Sequence, residues 1–348
     1  MRRRKLWIAL AVLLVAAAVA AVVVLRSRSA PEAARLLPES DAVLFINLRL
    51  MRLANVFGGA PPVSYDPDYE QFIKETGFQF ERDLDQVAFG MHVPSGAAAT
   101  GQGLFDAARY SEIFIGKLDA QRAAAYFRKL STSTESYRDV VIYAIPHEGR
   151  TVRVAILGLD IVAVSNVSDA AAIHQMIDKY RASAWPASAP SLVRDDFHHV
   201  PLTAVAWALA RMPAPGAQAP VLALPGLGIP VPSLAGATIV ASATYRGAFH
   251  LRVEALTQSE GDARQLQDTV NTFLVLAKGV ESSTVQGGTD AGVKAFFNSL
   301  KVEEHGARVE LTATLPQGFI RKALTPPPGP EVEPPPSEKD QTGKKKKK

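Results

Sequence analysis

The feature that most constrains this chain is a run of apolar residues from Leu6 to Leu25, which contains no charged side chain. At ~1.5 Å per residue, a helix over this run is about 30 Å long, which matches the hydrocarbon core of a bilayer. The apolar region of a cleaved signal peptide is shorter, at ~7–15 residues. The run therefore predicts an uncleaved transmembrane signal anchor, and cleavage at the weak site Ser27-x-Ser29 is the alternative.

Basic residues flank the run on both sides. Four precede it, at positions 2–5, and two follow it, Arg26 and Arg28. Cytoplasmic flanks carry the larger number of Lys and Arg, so this contrast places the N-terminus in the cytoplasm. We expect a single-pass protein of the cell membrane in which residues 1–30 form the cytoplasmic flank and the anchor. The folded part is then expected outside the cytoplasm.

Cysteine content and charge exclude several classes of function. The chain contains no cysteine, which excludes disulfides, thiolate metal sites and a cysteine nucleophile. The sequence pI of about 9.2 reflects the two ends, because residues 30–325 contain 26 Lys and Arg against 30 Asp and Glu. A nucleic-acid-binding domain would carry its basic patch on the fold itself. Nucleic acid is therefore not an expected partner, unless the topology is reversed and the lysine-rich tail faces the cytoplasm.

Apolar patterning after residue 30 predicts an α+β fold. Residues 42–48 form a continuous apolar run typical of a buried strand, and residues 248–256 alternate as in a strand with one solvated face. Asp119 and Ser259 stand where helix N-caps are expected, and Arg246-Gly247 is expected to turn a hairpin. One order of strand, insert, hairpin, helix, hairpin and helix occurs twice. This predicts two related units of antiparallel sheet, each with helices packed on one face.

The two predicted units span residues 36–182 and 201–325. A linker rich in Ala, Ser and Pro, residues 183–200, is expected between them. Residues 326–348 predict a disordered Pro-rich tail that ends in poly-Lys.

Two segments carry a resemblance to a known class of protein. The first is the strand entry at residues 37–48, LPESDAVLFINL, which follows the N-terminal anchor; the second is the closing hairpin at residues 300–311, LKVEEHGARVEL. Together they resemble bacterial membrane-anchored proteins that carry a domain of unknown function in two halves. The resemblance spans residues 36–324. It implies an α+β fold and carries over no functional residue.

The candidates for a metal site are two acidic residues and two histidines that lie close together, Asp195, Asp196, His198 and His199. Side chains of these types bind zinc and similar ions. Adjacent residues on an extended chain point in opposite directions, however, so the segment offers one or two ligands at a time. A polar linker is the alternative interpretation.

No local signature of catalysis or of cofactor binding is found. The sequence lacks a Gly-x-Ser-x-Gly elbow, a complete dinucleotide fingerprint, a phosphate-binding loop and a His-Glu-x-x-His pair, so no cofactor is expected. This favours a binding or scaffolding module of the cell envelope. The alternative is an envelope hydrolase or metal-dependent enzyme that uses residues 195–199 or the cleft between the halves, and a site built from distant residues also stays open.

Two segments are candidates for contact with a partner or with lipid. Residues 213–232 are rich in proline, which disfavours regular structure, yet they contain a strongly apolar set: Val221, Leu222, Leu224, Leu227 and Ile229. Burial between the units is the alternative for this segment. The other segment is the run Lys344, Lys345, Lys346, Lys347 and Lys348. We expect it to contact an anionic lipid, an envelope polymer or an acidic protein, and a solvated tail is the alternative.

Overall fold

The computed structural model describes residues 29–56, 66–93, 108–182, 188–212, 234, 236–284 and 291–316. The predicted anchor, the apolar residues of segment 213–232 and the terminal lysines lie outside the described residues. Within the described ranges, no helix is both long and apolar enough to cross a membrane.

The first part of the chain contains seven strands and six helices within the described ranges. They are α1 (Glu32–Leu36), β1 (Ala42–Asn47), α2 (Leu48–Leu53), α3 (Pro67–Thr76), α4 (Phe80–Asp83), β2 (Leu84–His92), β3 (Arg109–Gly116), α5 (Ala120–Leu130), β4 (Ser133–Tyr137), β5 (Val140–His147), β6 (Arg150–Ile156), β7 (Ile161–Ser165) and α6 (Ala171–Arg181).

The second part begins with a short helix and adds five strands. Its elements are α7 (Ser191–Asp196), a 3-10 turn (Phe197–His199), β8 (Ala204–Arg211), β9 (Thr238–Tyr245), β10 (Phe249–Leu256), α8 (Glu260–Thr284), α9 (Ala291–Ser299), β11 (Lys301–Glu304) and β12 (Arg308–Leu315).

All twelve strands form one antiparallel sheet in the order β11-β12-β10-β9-β8-β1-β2-β3-β7-β6-β5-β4. The α+β prediction with antiparallel sheet is therefore confirmed. The two parts of the chain are joined by β1 and β8, which pair from Ala42↔Ala210 to Ile46↔Ala206. Phe45 and Trp207 stack on this joint with ring centroids 5.4 Å apart. The halves thus share a continuous sheet, and no gap separates them at this joint.

The two faces of the sheet are covered differently. The front face, which carries Phe45 and Trp207, is packed by α1, α6 and α7 around the main core. The back face carries Ile46 of β1 and Val87 of β2. Helix α3 packs there through Phe72. Helix α5 lies on the same back face, where Phe127 contacts Tyr143 of β5.

Helices on both faces of the first unit mean that the prediction of a single helical face was wrong there. The physical reason is that the central strands of this unit carry apolar side chains on both sides, as Phe45 and Ile46 illustrate. Both faces must therefore be removed from water. In the second part, α8 packs on the back face, where Ala263 and Leu266 contact Ala255 and Val309.

Local signals read from the sequence are confirmed at several element boundaries. The Asp119 carboxylate accepts hydrogen bonds from the backbone of Gln121 and Arg122 at 3.1 Å, as a helix N-cap does. The Ser259 hydroxyl accepts from the Asp262 backbone at 3.2 Å. Gly247 turns the hairpin between β9 and β10 with a φ of 77°, a conformation that suits glycine.

Candidate functional site

A polar surface covers the front face of the last four strands. On β10, Leu251, Val253 and Ala255 share the back face with residues that pack under α8, so His250 and Arg252 point to the front. This confirms the alternation expected of the strand, although its polar side is solvated only in part, because Glu254 is buried. Cross-strand pairing then builds two polar rows, one running Lys301–Thr312–Arg252–Ser242 and the next running Thr314–His250–Thr244.

These rows form the floor of a half-open cleft of about 460 Å³. Hydroxyls and basic side chains dominate its lining, which consists of Pro201, Thr203, Ser242, Thr244, Arg246, His250, Leu251, Arg252, Ser299, Lys301, Thr312, Ala313 and Thr314. We call it the β9–β12 cleft. Its volume lies within the ~300–1,000 Å³ range of small-molecule sites.

Arg252 lies at the centre of the cleft floor. Its Nη2 donates to Glu254 at 2.5 Å and to Glu310 at 3.0 Å, and Arg308 contacts Glu254 from the other side at 3.3 Å. Two guanidinium groups therefore neutralise two carboxylates, of which the Glu254 side chain is only 3% exposed. The Arg252 Nε is buried and has no hydrogen-bond acceptor within the described part of the chain.

Other groups of the cleft are available to a ligand. Arg246 and Lys301 are exposed, and neither side chain forms an ion pair with another described residue. The hydroxyls of Ser242, Thr244 and Thr312 make no hydrogen bond to the described residues either. The Thr314 hydroxyl lies 3.4 Å from Nδ1 of His250. The cleft thus offers unused donors and an excess of positive charge.

The segment proposed from sequence as a metal site is helical rather than extended. Asp195 and Asp196 close α7, and His198 and His199 follow in the 3-10 turn, with their ring centroids 4.0 Å apart. Buried Leu192 and Val193 anchor this segment on the front face, which the alanine- and proline-rich composition before it did not indicate.

Each acidic residue of that segment has a basic partner. Asp195 pairs with Arg194 at 3.1 Å, and Asp196 lies 3.5 Å from Arg211. Burial lowers the pKa of His199, and the neighbouring His198 lowers it further. Among the residues that the structure describes, no group of three or more His, Asp or Glu is placed to hold a metal ion.

A second polar cluster, which sequence reasoning missed, lies on the front face of β2, β3 and β7. Nε2 of His92 is 2.9 Å from the Ser111 hydroxyl, which in turn is 3.2 Å from that of Ser165. Burial lowers the pKa of His92, against the opposing effects of Asp41 and of a hydrogen bond to the Glu39 backbone.

The Ser111–His92 contact has the geometry of a nucleophile and its base, but Ser111 is fully buried. A substrate cannot reach a hydroxyl with no exposed surface. The cluster therefore satisfies polar groups between packed strands. His92, Ser111 and Ser165 lie far apart in the sequence and meet only because their strands pair, so no local motif predicts the cluster.

Comparisons with known proteins add little. No family model matches the sequence, and no curated protein matches it. Among solved structures, the chain is similar to crystal forms III and I of TP0453. Each shares 9% sequence identity over 85% of this chain, covering 98% and 97% of that chain, with TM-scores of 0.41 and 0.38.

Proposed function

We propose that this protein is a single-pass, membrane-anchored protein whose folded part lies outside the cytoplasm and serves as a binding or scaffolding module of the cell envelope. The observation that carries the binding role is the β9–β12 cleft. It combines a ligand-sized volume with hydroxyls and cations that the described residues leave without partners. The anchoring role rests on the length, apolarity and flanks of residues 6–25.

The fold is proposed to consist of two related units, 36–182 and 201–325. Strand pairing supports this division, because the third strand of each unit pairs with the last strand of the same unit. β3 pairs with β7 in the first, and β10 pairs with β12 in the second. The leading strands β1 and β8 then pair with each other in antiparallel fashion, as expected of two similar units related by a twofold axis.

The proline-rich segment 213–232 is proposed to contact an envelope partner or the lipid surface. Its described flanks support this, because β8 ends and β9 begins at the end of the sheet where β2 also ends, as the pairs Met91↔Ala42 and Ala42↔Ala210 show. The segment thus leaves the fold at one defined end. The terminal lysines are proposed to add a salt-sensitive contact with an anionic surface.

Cell fractionation tests the anchor. The full-length chain is expected in the membrane fraction after washes with high salt and alkaline carbonate, and a variant that lacks residues 6–25 is expected in the soluble fraction. A variant with the five terminal lysines changed to glutamine is the control, because it should stay with the membrane. Recovery of the full-length chain as a soluble protein, or of a product trimmed after Ser29, would contradict the proposal.

Site-specific photo-cross-linking tests the scaffolding contact. A cross-linker at Leu224 is expected to give a defined adduct in cells, whereas one at the exposed control position Leu202 is not. In the chain that carries the cross-linker at position 224, changing Val221, Leu222, Leu227 and Ile229 together to serine should remove the adduct and leave the unfolding midpoint unchanged. A large loss of stability in that variant would instead support burial between the units.

A further inference from the structure

We propose that the β9–β12 cleft binds a phosphate group carried by a small organic molecule or by a lipid headgroup. This inference rests on the proposed binding function and names its ligand class. It draws on the balance of charge in the cleft, on the arrangement of its donors and on its volume.

The charged side chains in and beneath the cleft leave it with an excess of positive charge. Glu254 and Glu310 are compensated by Arg252 and Arg308. Arg246 and Lys301 have no such partner among the described residues. An anion in the cleft is attracted by both side chains, and the carboxylates of Glu254 and Glu310 are already paired. A metal cation would meet the opposite field, so the cleft selects for anions.

The donors suit a tetrahedral anion better than a planar one. Neighbouring strands lie ~4.8 Å apart, so Lys301, Thr312 and Arg252, which are successive cross-strand neighbours on the front face, lie side by side in one row. A phosphate presents three or four acceptor oxygens in different directions, whereas a carboxylate presents two in one plane. The guanidinium of Arg252, whose side chain is 37% exposed, adds positive charge beside Thr312, although its Nη2 already donates to two carboxylates.

The size of the cleft indicates that the phosphate is part of a larger molecule. A volume of about 460 Å³ exceeds the space that a free phosphate fills, and Pro201 adds apolar lining. A phosphomonoester of a small polyol, or the headgroup of an anionic phospholipid, matches this combination. Both share the phosphate chemistry, and the experiment distinguishes them.

The site is tested by calorimetric titration of the full-length chain, held in an uncharged detergent and a phosphate-free buffer. The probes are inorganic phosphate and then glycerol phosphate. Saturable binding is expected, and glycerol phosphate should bind more tightly than inorganic phosphate. Lys301→Gln and Arg246→Gln should each weaken binding about tenfold, as the loss of one charge-assisted hydrogen bond predicts. Lys74→Gln, on an exposed part of α3, removes the same charge elsewhere and should leave the affinity unchanged.

Vesicle binding identifies the source of the phosphate. If the ligand is a lipid headgroup, Lys301→Gln should weaken binding to added phosphatidylglycerol vesicles and not to phosphatidylcholine vesicles. If the ligand is a soluble phosphate ester, the variants lose glycerol phosphate and bind both vesicles as the wild type does. Absence of saturable binding of either phosphate probe, or an equal loss in Lys74→Gln, would overturn the inference. Cell fractionation tests the membrane anchor separately, so the phosphate site and the anchor can each be refuted without the other.

Discussion

The charge network beneath the cleft gives a sharp prediction for stability. Changing Arg252 to methionine keeps the aliphatic stem but removes the guanidinium that contacts Glu254 and Glu310 at 2.5 and 3.0 Å. These two glutamates are direct cross-strand neighbours. Without Arg252, like charges face each other on adjacent strands, and Glu254 keeps only Arg308, at 3.3 Å.

The magnitude follows from burial. Removing one partner of a fully buried ion pair costs about 3–5 kcal/mol of unfolding free energy. The Glu254 side chain is 3% exposed, but that of Arg252 is 37% exposed, and solvent screening lowers the figure to about 2–4 kcal/mol. A second change, Glu310→Gln, removes the facing charge and should restore part of the loss. The two substitutions are therefore expected to be non-additive.

Urea denaturation followed by tryptophan fluorescence measures this effect. Lys301→Met is the matched control, since it removes an exposed cation of the same cleft that has no described ion-pair partner, and it should change stability by less than about 0.5 kcal/mol. If Arg252→Met costs no more than the control, or if Glu310→Gln does not relieve the loss, the account of a partly buried four-charge network is refuted.

Three further predictions address other parts of the fold. Trp207→Ala should cost about 3–5 kcal/mol of unfolding free energy, because it opens a cavity at the stack with Phe45 that joins the halves; a loss near zero in urea denaturation would contradict that joint. Gly116→Ala should destabilise the fold by about 1–3 kcal/mol, because the added Cβ would lie 2.4 Å from the Asp83 carbonyl oxygen. An unchanged melting temperature would show that the two backbones do not approach so closely. His92 has a pKa below its ordinary 6.5 because it is buried. The unfolded chain therefore takes up the proton first, and the wild type should lose stability as the pH falls below about 6.5. A His92→Gln variant should lack that loss. Parallel plots of stability against pH for the two proteins would show that His92 does not cause it.

Much of the local structure could be predicted because it depends on neighbours in sequence. The alternation along β10, the Asp119 cap and the glycine at the 247 turn each act within a few residues. In contrast, strand β4 lies at the edge of the sheet and has no buried side chain. Its sequence therefore lacks the apolar alternation that predicts a strand. Residues 191–199 combine two buried apolar side chains with a polar end, and the polar end suggested a linker.

The candidate site could be predicted only in part, because its residues come from separate strands. The alternation along β10 predicted a solvated face but no site on it, because Ser242 and Thr312 join His250 and Arg252 only through the pairing of β9 and β12 with β10. The pairing of β1 with β8 likewise joins strands that are far apart in the sequence, and the pattern of neither strand predicts its partner. The same limit hid the contact between His92 and Ser111.

Topology is the most direct test of the central claim that the folded part lies outside the cytoplasm. The chain contains no cysteine, so a single Gln258→Cys substitution, at an exposed position just before α8, introduces one unique thiol. On sealed spheroplasts, a membrane-impermeant maleimide should label this thiol fully. A cysteine at Arg3 should react only after lysis. Labelling of the Arg3→Cys protein on sealed spheroplasts, together with protection of Gln258→Cys, would contradict the account.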